Sequence, residues 1–187
     1  MSLLTIVFLI ISSTLLTNAQ IIVIATDKGD IEVELYAEKA PVTVRNFLMY
    51  ADSGLFVNGS FYRVVTMQNQ PTDSIRIEVI QGGRRNRTGR GYSPILHETT
   101  NQTGILHKDG VISMARSSVG SATSEFFICV GDQPSLDFGG LRNRDGQGFA
   151  AFGKVIKGMN VVLLIQKGAT DGQNLLAPVV INNISRK

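Results

Sequence analysis

Arg63 and Gln81 are the side chains of this sequence best suited to electrostatic chemistry that needs neither a metal nor a nucleophile. Arg63 lies in the apolar run Phe-Tyr-Arg-Val-Val at 61–65, and Gln81 directly precedes Gly82 and Gly83. A guanidinium is permanently charged and presents a planar fork of donors, so it can stabilise a developing lone pair with little reorganisation. Each residue has an ordinary alternative: a strand arginine paired with a surface carboxylate, and an amide that stabilises a turn.

Other chemistries are less well supported by the residue types present. His97 and His107 are the only histidines, and their spacing with Glu98 and Asp109 matches no metal-binding pattern, so both are predicted to be solvated loop residues. The single cysteine, Cys129, lies in a strongly apolar run and is predicted to be a buried structural thiol. We therefore expect no metal and no cofactor.

The charge of the chain is mildly basic, with a net charge of +3 and a pI of about 9.2. Its densest basic run, which contains Arg84, Arg85, Arg87 and Arg90, has no interleaved aromatic residues and is predicted to be a solvated loop. No nucleic-acid partner is expected.

The first part of the chain is typical of a secretory signal peptide. Leu3 to Leu16 is almost wholly apolar, and the small residues Thr17 and Ala19 fit a cleavage site after Ala19. We therefore divide the chain into a signal peptide at 1–19 and one domain at 20–187, exported to a periplasm or secreted, with no membrane association in its mature form. The positive residues that usually precede such a run are missing, which leaves an uncleaved anchor as the alternative.

The domain is predicted to be mainly β, because short β-rich runs alternate with turn residues. Two helices are predicted, one from Pro41 to a left-handed Gly54 and one from Met159 to near Gly168. Many short strands with two helices indicate a closed barrel, in which the last strand returns to pair with the first. The predicted strands lie at 21–25, 31–36, 61–65, 75–80, 111–115, 126–130, 150–155 and 177–184.

The sequence resembles the cyclophilins, peptidyl-prolyl cis-trans isomerases (EC 5.2.1.8), over essentially all of the chain after the signal peptide. The family fold is a closed eight-stranded antiparallel barrel capped by two α-helices, which agrees with the pattern above. The resemblance looks closest to the exported bacterial branch, on the Ser-Met-Ala-Arg and Ser-Ala-Thr-Ser-Glu motifs. Five blocks occur in family order: 61–65, 80–83, 112–116, 124–128 and 152–155.

The resemblance implies a reaction and a set of residues. An X-Pro amide resists rotation by about 18–20 kcal/mol, and a fixed cation stabilises the twisted state. The implied catalytic residues are Arg63, Gln81, which orients it, and Phe127. The implied substrate-binding residues comprise the proline socket with its rim and the carboxylate before Phe126, namely Val79, Ala115, Arg116, Glu125, Leu136 and Phe149. The implied partners are proline-containing unfolded or flexible polypeptides, bound by a monomer.

Departures from the family pattern change the expected site. Val79, Ser135 and Phe149 stand where many members have Met, Trp and His, so we expect a smaller socket and weak sensitivity to cyclosporin. The link from Arg63 to Gln81 is longer than usual, and the insertion at 66–78 is a candidate for gating or selecting substrates. Glu125 replaces the commoner Gln, and its carboxylate either holds the Arg63 guanidinium or competes for it.

Two other functions are compatible with parts of the pattern. A cyclophilin-like barrel without catalysis would act as a binding module for unfolded exported chains. A small exported barrel that carries an apolar ligand would account for the strands. The Arg63, Gln81 and Phe127 set favours the isomerase over both.

Overall fold

A computed structural model describes residues 20–84 and 91–187 of the chain. The predicted signal peptide and Arg85, Arg87 and Arg90 lie outside these residues. Nine strands, three α-helices and one 3₁₀ helix are described, in the order β1 (Gln20–Thr26), β2 (Gly29–Leu35), α1 (Pro41–Asp52), β3 (Gly59–Val65), β4 (Val79–Gly83), α2 (Thr100–Thr103), β5 (Val111–Met114), β6 (Phe126–Cys129), the 3₁₀ helix (Pro134–Leu136), β7 (Ala150–Lys157), α3 (Met159–Gln166), β8 (Thr170–Asp171) and β9 (Asn174–Arg186).

The strands form a closed antiparallel barrel, as predicted. The order is β1-β2-β7-β5-β6-β4-β3-β9, and β9 also pairs with β1 to close the ring. The two-residue β8 pairs only with the start of β9 and stands outside the eight-stranded closure. Closure gives every strand of the ring two neighbours and so removes exposed edges.

Alternate residues of the strands point into two different apolar clusters. Ile80 and Ile128 belong to the large core cluster, together with buried residues of α1 and α3. Their strand neighbours Val79 and Phe127 belong to a second, smaller cluster. Successive side chains of a strand face opposite sides of a sheet, so the second cluster lies on the outer face of the barrel.

The two predicted helices, α1 and α3, begin at the predicted residues Pro41 and Met159, whereas the short α2 was not predicted. Pro41 stands at the start of α1, and Gly54 just after it adopts the left-handed conformation with φ of +65°. Phe47 of α1 packs into the core against Phe56, Phe126 and Phe152, with ring centroids 5.0–5.4 Å away. Among the described residues, no helix is long and apolar enough to cross a membrane.

The predicted strand at 75–80 has the largest error in its bounds, and the predicted last strand at 177–184 extends further in the structure, over Asn174–Arg186. The run at 75–80 was expected to be extended, but β4 begins only at Val79. The backbone N–H and C=O of Ile77 bind the side-chain amide of the buried Gln70 instead of a neighbouring strand. Because the Gln70 side chain takes the place of a neighbouring strand, the residues between Gln70 and Ile77 form a loop that this contact closes.

Candidate active site

The three residues predicted to be catalytic lie in one row across neighbouring strands. Arg63 on β3 is paired with Gln81 on β4, Gln81 with Phe127 on β6, and Phe127 with Ser113 on β5. Directly paired residues of antiparallel strands place their side chains on the same face. The register of the barrel therefore brings together residues that are up to 64 positions apart in the sequence.

The Arg63 guanidinium is held by two glutamine side chains. Its Nη1 donates to Gln81 Oε1 (2.7 Å), while its Nε (3.0 Å) and Nη2 both donate to Gln173 Oε1. Gln173 lies in the turn between β8 and β9, and sequence analysis missed it. A guanidinium has five donor hydrogens, so these bonds within the described residues leave two for a substrate.

Burial lowers the pKa of the Arg63 guanidinium, and the nearby positive charge of Arg142 lowers it further. An arginine stays protonated under any physiological condition. The site therefore holds a partly desolvated permanent cation, which interacts more strongly with a substrate dipole than an exposed cation would.

Eight of the nine predicted site residues line one cavity of about 260 Å³ beside this guanidinium. Sequence analysis missed three further lining residues, Ile77, Arg142 and Asn143. The eight are Arg63, Val79, Gln81, Ala115, Arg116, Phe127, Leu136 and Phe149.

One wall of the cavity is aromatic and aliphatic. Phe127 and Phe149 meet edge to face, with centroids 5.4 Å apart and ring planes at 89°. The Phe149 backbone N–H donates to the Leu136 carbonyl (2.9 Å). Gly148 before it has φ of +61°, and a Cβ there would lie 2.5–2.6 Å from the backbone at 136–137, so only glycine allows this close approach.

Arg116 supports this wall through hydrogen bonds to other residues of the protein. Its side chain is only 1% exposed. It donates two hydrogen bonds to Asp145 (2.7 and 2.8 Å) and one to the Gly148 carbonyl (2.8 Å). The guanidinium also lies over the Phe149 ring, 5.2 Å from its centroid. Arg116 therefore holds the loop that carries Phe149, besides lining the cavity as predicted.

The clamp between Arg116 and Asp145 predicts a pH dependence. The Arg116 hydrogen bonds, and then the Gln147 backbone N–H, lower the pKa of the Asp145 carboxyl to about 2 from its ordinary 3.8. Because the folded-state pKa is depressed, the contribution of this pair to stability is complete above about pH 4 and is lost as the pH falls towards 2. An NMR titration should show the Phe149 ring resonances shifting with this carboxyl. Asp145→Asn should abolish that step, and an unchanged step would contradict the assignment.

Glu125 is the one predicted site residue outside the socket, and it does not bind Arg63. Its Oε2 accepts a hydrogen bond from the Tyr62 hydroxyl (2.5 Å). It lines an adjacent, larger cavity of about 530 Å³, shared with Gln81, Ala115 and Arg116. Of the two expectations for Glu125, direct holding of the guanidinium and direct competition for it, the structure shows neither.

The interpretation of His107 as a solvated loop residue is wrong. Its side chain is fully buried, with Nδ1 2.7 Å from Asp137 Oδ1 and Nε2 2.9 Å from Ser113 Oγ. Its ring stacks on Phe127 at 5.9 Å and so forms the back of the socket. His97 is partly exposed, with Nε2 3.0 Å from the Gln147 carbonyl oxygen.

Ser113, His107 and Asp137 have the connectivity of a hydrolase triad, but their burial argues against that chemistry. A serine nucleophile must meet a substrate carbonyl, and Ser113 is 0% exposed beneath Phe127. Cys129, in the same outer cluster, is also fully buried, and burial raises the pKa of its thiol well above the ordinary value. The prediction of a structural thiol is confirmed.

The insertion at 66–78 is attached to the surroundings of Arg63 through Gln173 and Arg142. Its Asn69 carbonyl accepts a hydrogen bond from Gln173 Nε2 (3.3 Å). Its Asp73 carboxylate and Ile75 carbonyl accept from Arg142 Nη1 (3.0 and 2.6 Å). The insertion thus contacts Gln173, which binds the Arg63 guanidinium, and Arg142, whose positive charge lies near it.

Residues 21–186 match the family model described as "Cyclophilin type peptidyl-prolyl cis-trans isomerase/CLD". The chain is 36% identical over 176 residues to peptidyl-prolyl cis-trans isomerase A of Dickeya dadantii, covering 89% of this chain and 84% of that protein. It is 35% identical over 153 residues to peptidyl-prolyl cis-trans isomerase B of Escherichia coli, covering 80% and 85%.

The fold is also similar to solved structures. A crystal structure of a cyclophilin-type peptidyl-prolyl cis-trans isomerase from Cryptosporidium parvum superimposes with a TM-score of 0.73 at 23% identity, covering 91% of this chain and 98% of that one. A structure of the same protein determined in the presence of the dipeptide Ala-Pro gives 0.71 at 24% identity, covering 88% and 97%. At this identity the likeness concerns the fold.

Proposed function

This chain belongs to the cyclophilin family of peptidyl-prolyl cis-trans isomerases, and on that premise we propose that it accelerates X-Pro rotation in exported polypeptides and so assists their folding. Cyclophilins act on proline-containing peptides, and the chain is an enzyme of this class. The observation that supports the proposed site is the half-buried Arg63, fixed by two amides beside a cavity of about 260 Å³ with an aromatic and aliphatic wall.

Rotation about an X-Pro bond forms and breaks no covalent bond, so catalysis must come from differential binding. In the twisted state the prolyl nitrogen becomes pyramidal and gains a lone pair, because amide resonance is lost. The two remaining Arg63 donors can address this nitrogen and a substrate carbonyl, which matters most in the twisted state. An acceleration of about 10⁵-fold requires roughly 7 kcal/mol of such stabilisation.

The socket supplies the other requirement, a fixed axis for the rotation. A proline ring held between Phe127, Leu136 and Phe149 keeps one side of the amide still while the preceding residue turns. The partial burial of the guanidinium also reduces its contact with water, so its field acts on the amide with less screening. Ala115, at the open side, leaves room for the residue before proline.

We expect the purified protein to accelerate the cis-to-trans conversion of Ala-Pro and other X-Pro peptides in a protease-coupled assay. The reason is that the cation, its two free donors and the socket are already assembled in the described structure. A protein that binds such peptides without accelerating the conversion would favour the rival function, a binding module for unfolded chains.

The proposed export from the cell, to a periplasm or beyond, rests on the apolar run at 3–16 and the small residues before Gln20. Expressed from Met1 in a bacterium with a periplasm, the protein should appear in the periplasmic or medium fraction. Its intact mass should correspond to a chain that begins at Gln20. A chain of full mass in the membrane fraction would instead support the uncleaved anchor.

A further inference from the structure

Arg63 lies in the middle of a continuous chain of side-chain hydrogen bonds, and the direction of each bond can be assigned from the chemistry of its ends. The chain runs from the Asn69 carbonyl through Gln173 to Arg63, and onward through Gln81 to Tyr62 and Glu125. An arginine side chain only donates, so both glutamines must turn their amide oxygens towards it.

At the Gln173 end, this orientation is enforced by the backbone. Gln173 Nε2 lies 3.3 Å from the Asn69 carbonyl oxygen. A carbonyl oxygen only accepts, so it requires the NH₂ group of Gln173 on its side. The Oε1 atom is thereby left facing Arg63, and the alternative orientation of this amide is excluded at both of its ends.

At the Gln81 end, the neighbouring group is a hydroxyl, which both donates and accepts. Gln81 Nε2 lies 2.9 Å from the Tyr62 hydroxyl oxygen. If that hydroxyl donated to Gln81, the amide would turn over and present its NH₂ group to the donors of Arg63. The hydroxyl must therefore have another acceptor for its proton.

Glu125 provides that acceptor. Its Oε2 lies 2.5 Å from the Tyr62 hydroxyl, and an ionised carboxylate only accepts. The carboxylate fills space that the missing side chain of Gly83 leaves open: a Cβ at position 83 would lie 2.6 Å from Glu125 Cδ. Gly83 thus allows the carboxylate to reach the hydroxyl.

We propose that Glu125 is a positioning residue for Arg63, which acts through Tyr62 and Gln81 by taking the tyrosine proton and so fixing the orientation of the Gln81 amide. The inference rests on the proposed role of Arg63 in catalysis. It assigns Glu125 a task different from the substrate contact that its sequence position predicted. The two glutamines beside Arg63 are then oriented in the same way. The Asn69 carbonyl fixes the amide of Gln173, and the Glu125 carboxylate, through the Tyr62 hydroxyl, fixes the amide of Gln81.

The test is a double-mutant cycle on kcat/KM for an X-Pro peptide, with Tyr62→Phe, Glu125→Gln and both together. We expect a loss of about 3- to 10-fold for Tyr62→Phe, which removes two hydrogen bonds of this series, and a smaller loss of about 2- to 5-fold for Glu125→Gln, which weakens one. Both losses should appear in kcat. The double variant should lose no more than Tyr62→Phe alone, because the proposed influence of Glu125 on Arg63 passes through the Tyr62 hydroxyl.

A spectroscopic readout separates this inference from the proposed function. In the native protein, NMR should resolve distinct Arg63 Nη1 and Nη2 signals, because rotation of the guanidinium is restricted. Tyr62→Phe and Glu125→Gln should each broaden or merge them, whether or not the protein is an active isomerase. Tyr36→Phe and Glu38→Gln serve as matched controls that leave these signals and kcat/KM unchanged.

Two results would overturn the inference. One is a Glu125→Gln loss that persists in full in the Tyr62→Phe background and appears in KM, as expected for a direct substrate contact. The other is an unchanged pair of Arg63 signals in both single variants. If the native protein shows no isomerase activity while the Arg63 signals respond as expected, the proposed function fails and the hydrogen-bond chain stands.

Discussion

Replacing Arg63 by alanine is expected to lower kcat/KM for an X-Pro peptide by about 10²- to 10³-fold, which corresponds to about 2.7–4 kcal/mol of transition-state stabilisation. The reason is that Arg63 lines the cavity and keeps two donor hydrogens beyond those bound by Gln81 and Gln173. The loss should appear mainly in kcat, since the twisted amide gains more from the cation than the planar one does. A protease-coupled assay measures both parameters.

Arg63→Lys tests the role of the guanidinium geometry more directly than Arg63→Ala, because it keeps the positive charge and removes the planar set of donors. A lysine cannot bind Gln81 and Gln173 while also presenting two donors in one plane to the substrate. We expect it to recover only a small part of the alanine loss. Arg45→Ala, an exposed arginine on α1, is the matched control and should leave kcat/KM unchanged. Activity within about threefold of the native protein in Arg63→Ala would contradict the assigned role.

The barrel was predictable from the sequence because short stretches of residues identify its strands and its first helix. Each strand is marked by a short β-rich run between turn residues, and α1 begins at Pro41 and is followed by a left-handed Gly54. The pairing of the last strand with the first followed from the need to close an exposed edge. The error at 75–80 arose from a tertiary contact, because the Gln70 side chain takes the backbone groups that a strand would have used.

The members of the socket were also predictable, but the groups that hold them in place were not. Eight residues expected from the family resemblance do line one cavity. Gln173 is 110 residues from Arg63, and Arg142 approaches from an irregular loop, so no periodicity or motif links them to the site. Pattern and resemblance identify residues that face a substrate, whereas the partners of those residues depend on how distant loops fold over the barrel.

The burial of His107 is a similar case, since a polar turn follows it directly in the sequence. The chain around it reads Leu-His-Lys-Asp-Gly, which is typical of an exposed turn. Its environment is set by Asp137, 30 positions later, which accepts hydrogen bonds from both the backbone N–H (2.9 Å) and Nδ1 (2.7 Å) of His107. Since the carboxylate accepts, Nδ1 carries a proton, and Nε2 is directed at Ser113.

His107→Ala is expected to lower the free energy of unfolding by about 2–4 kcal/mol. The substitution opens a cavity behind Phe127 and leaves the buried Ser113 hydroxyl and the Asp137 carboxylate without their side-chain partner. For a chain of this size the melting temperature should fall by about 5–15 °C. Thermal and denaturant unfolding, monitored by circular dichroism, measure both quantities.

The other histidine provides the control, because the sequence assigned the same environment to both. His97 is partly exposed and makes one side-chain hydrogen bond to a backbone carbonyl, so His97→Ala should cost less than about 1 kcal/mol. His107→Ala should also weaken activity at a temperature where it remains folded, because Phe127 loses the ring on which it stacks and the socket loses its back wall. Equal, small losses of stability in the two variants would contradict the burial of His107 and would restore the solvated loop that its sequence suggests.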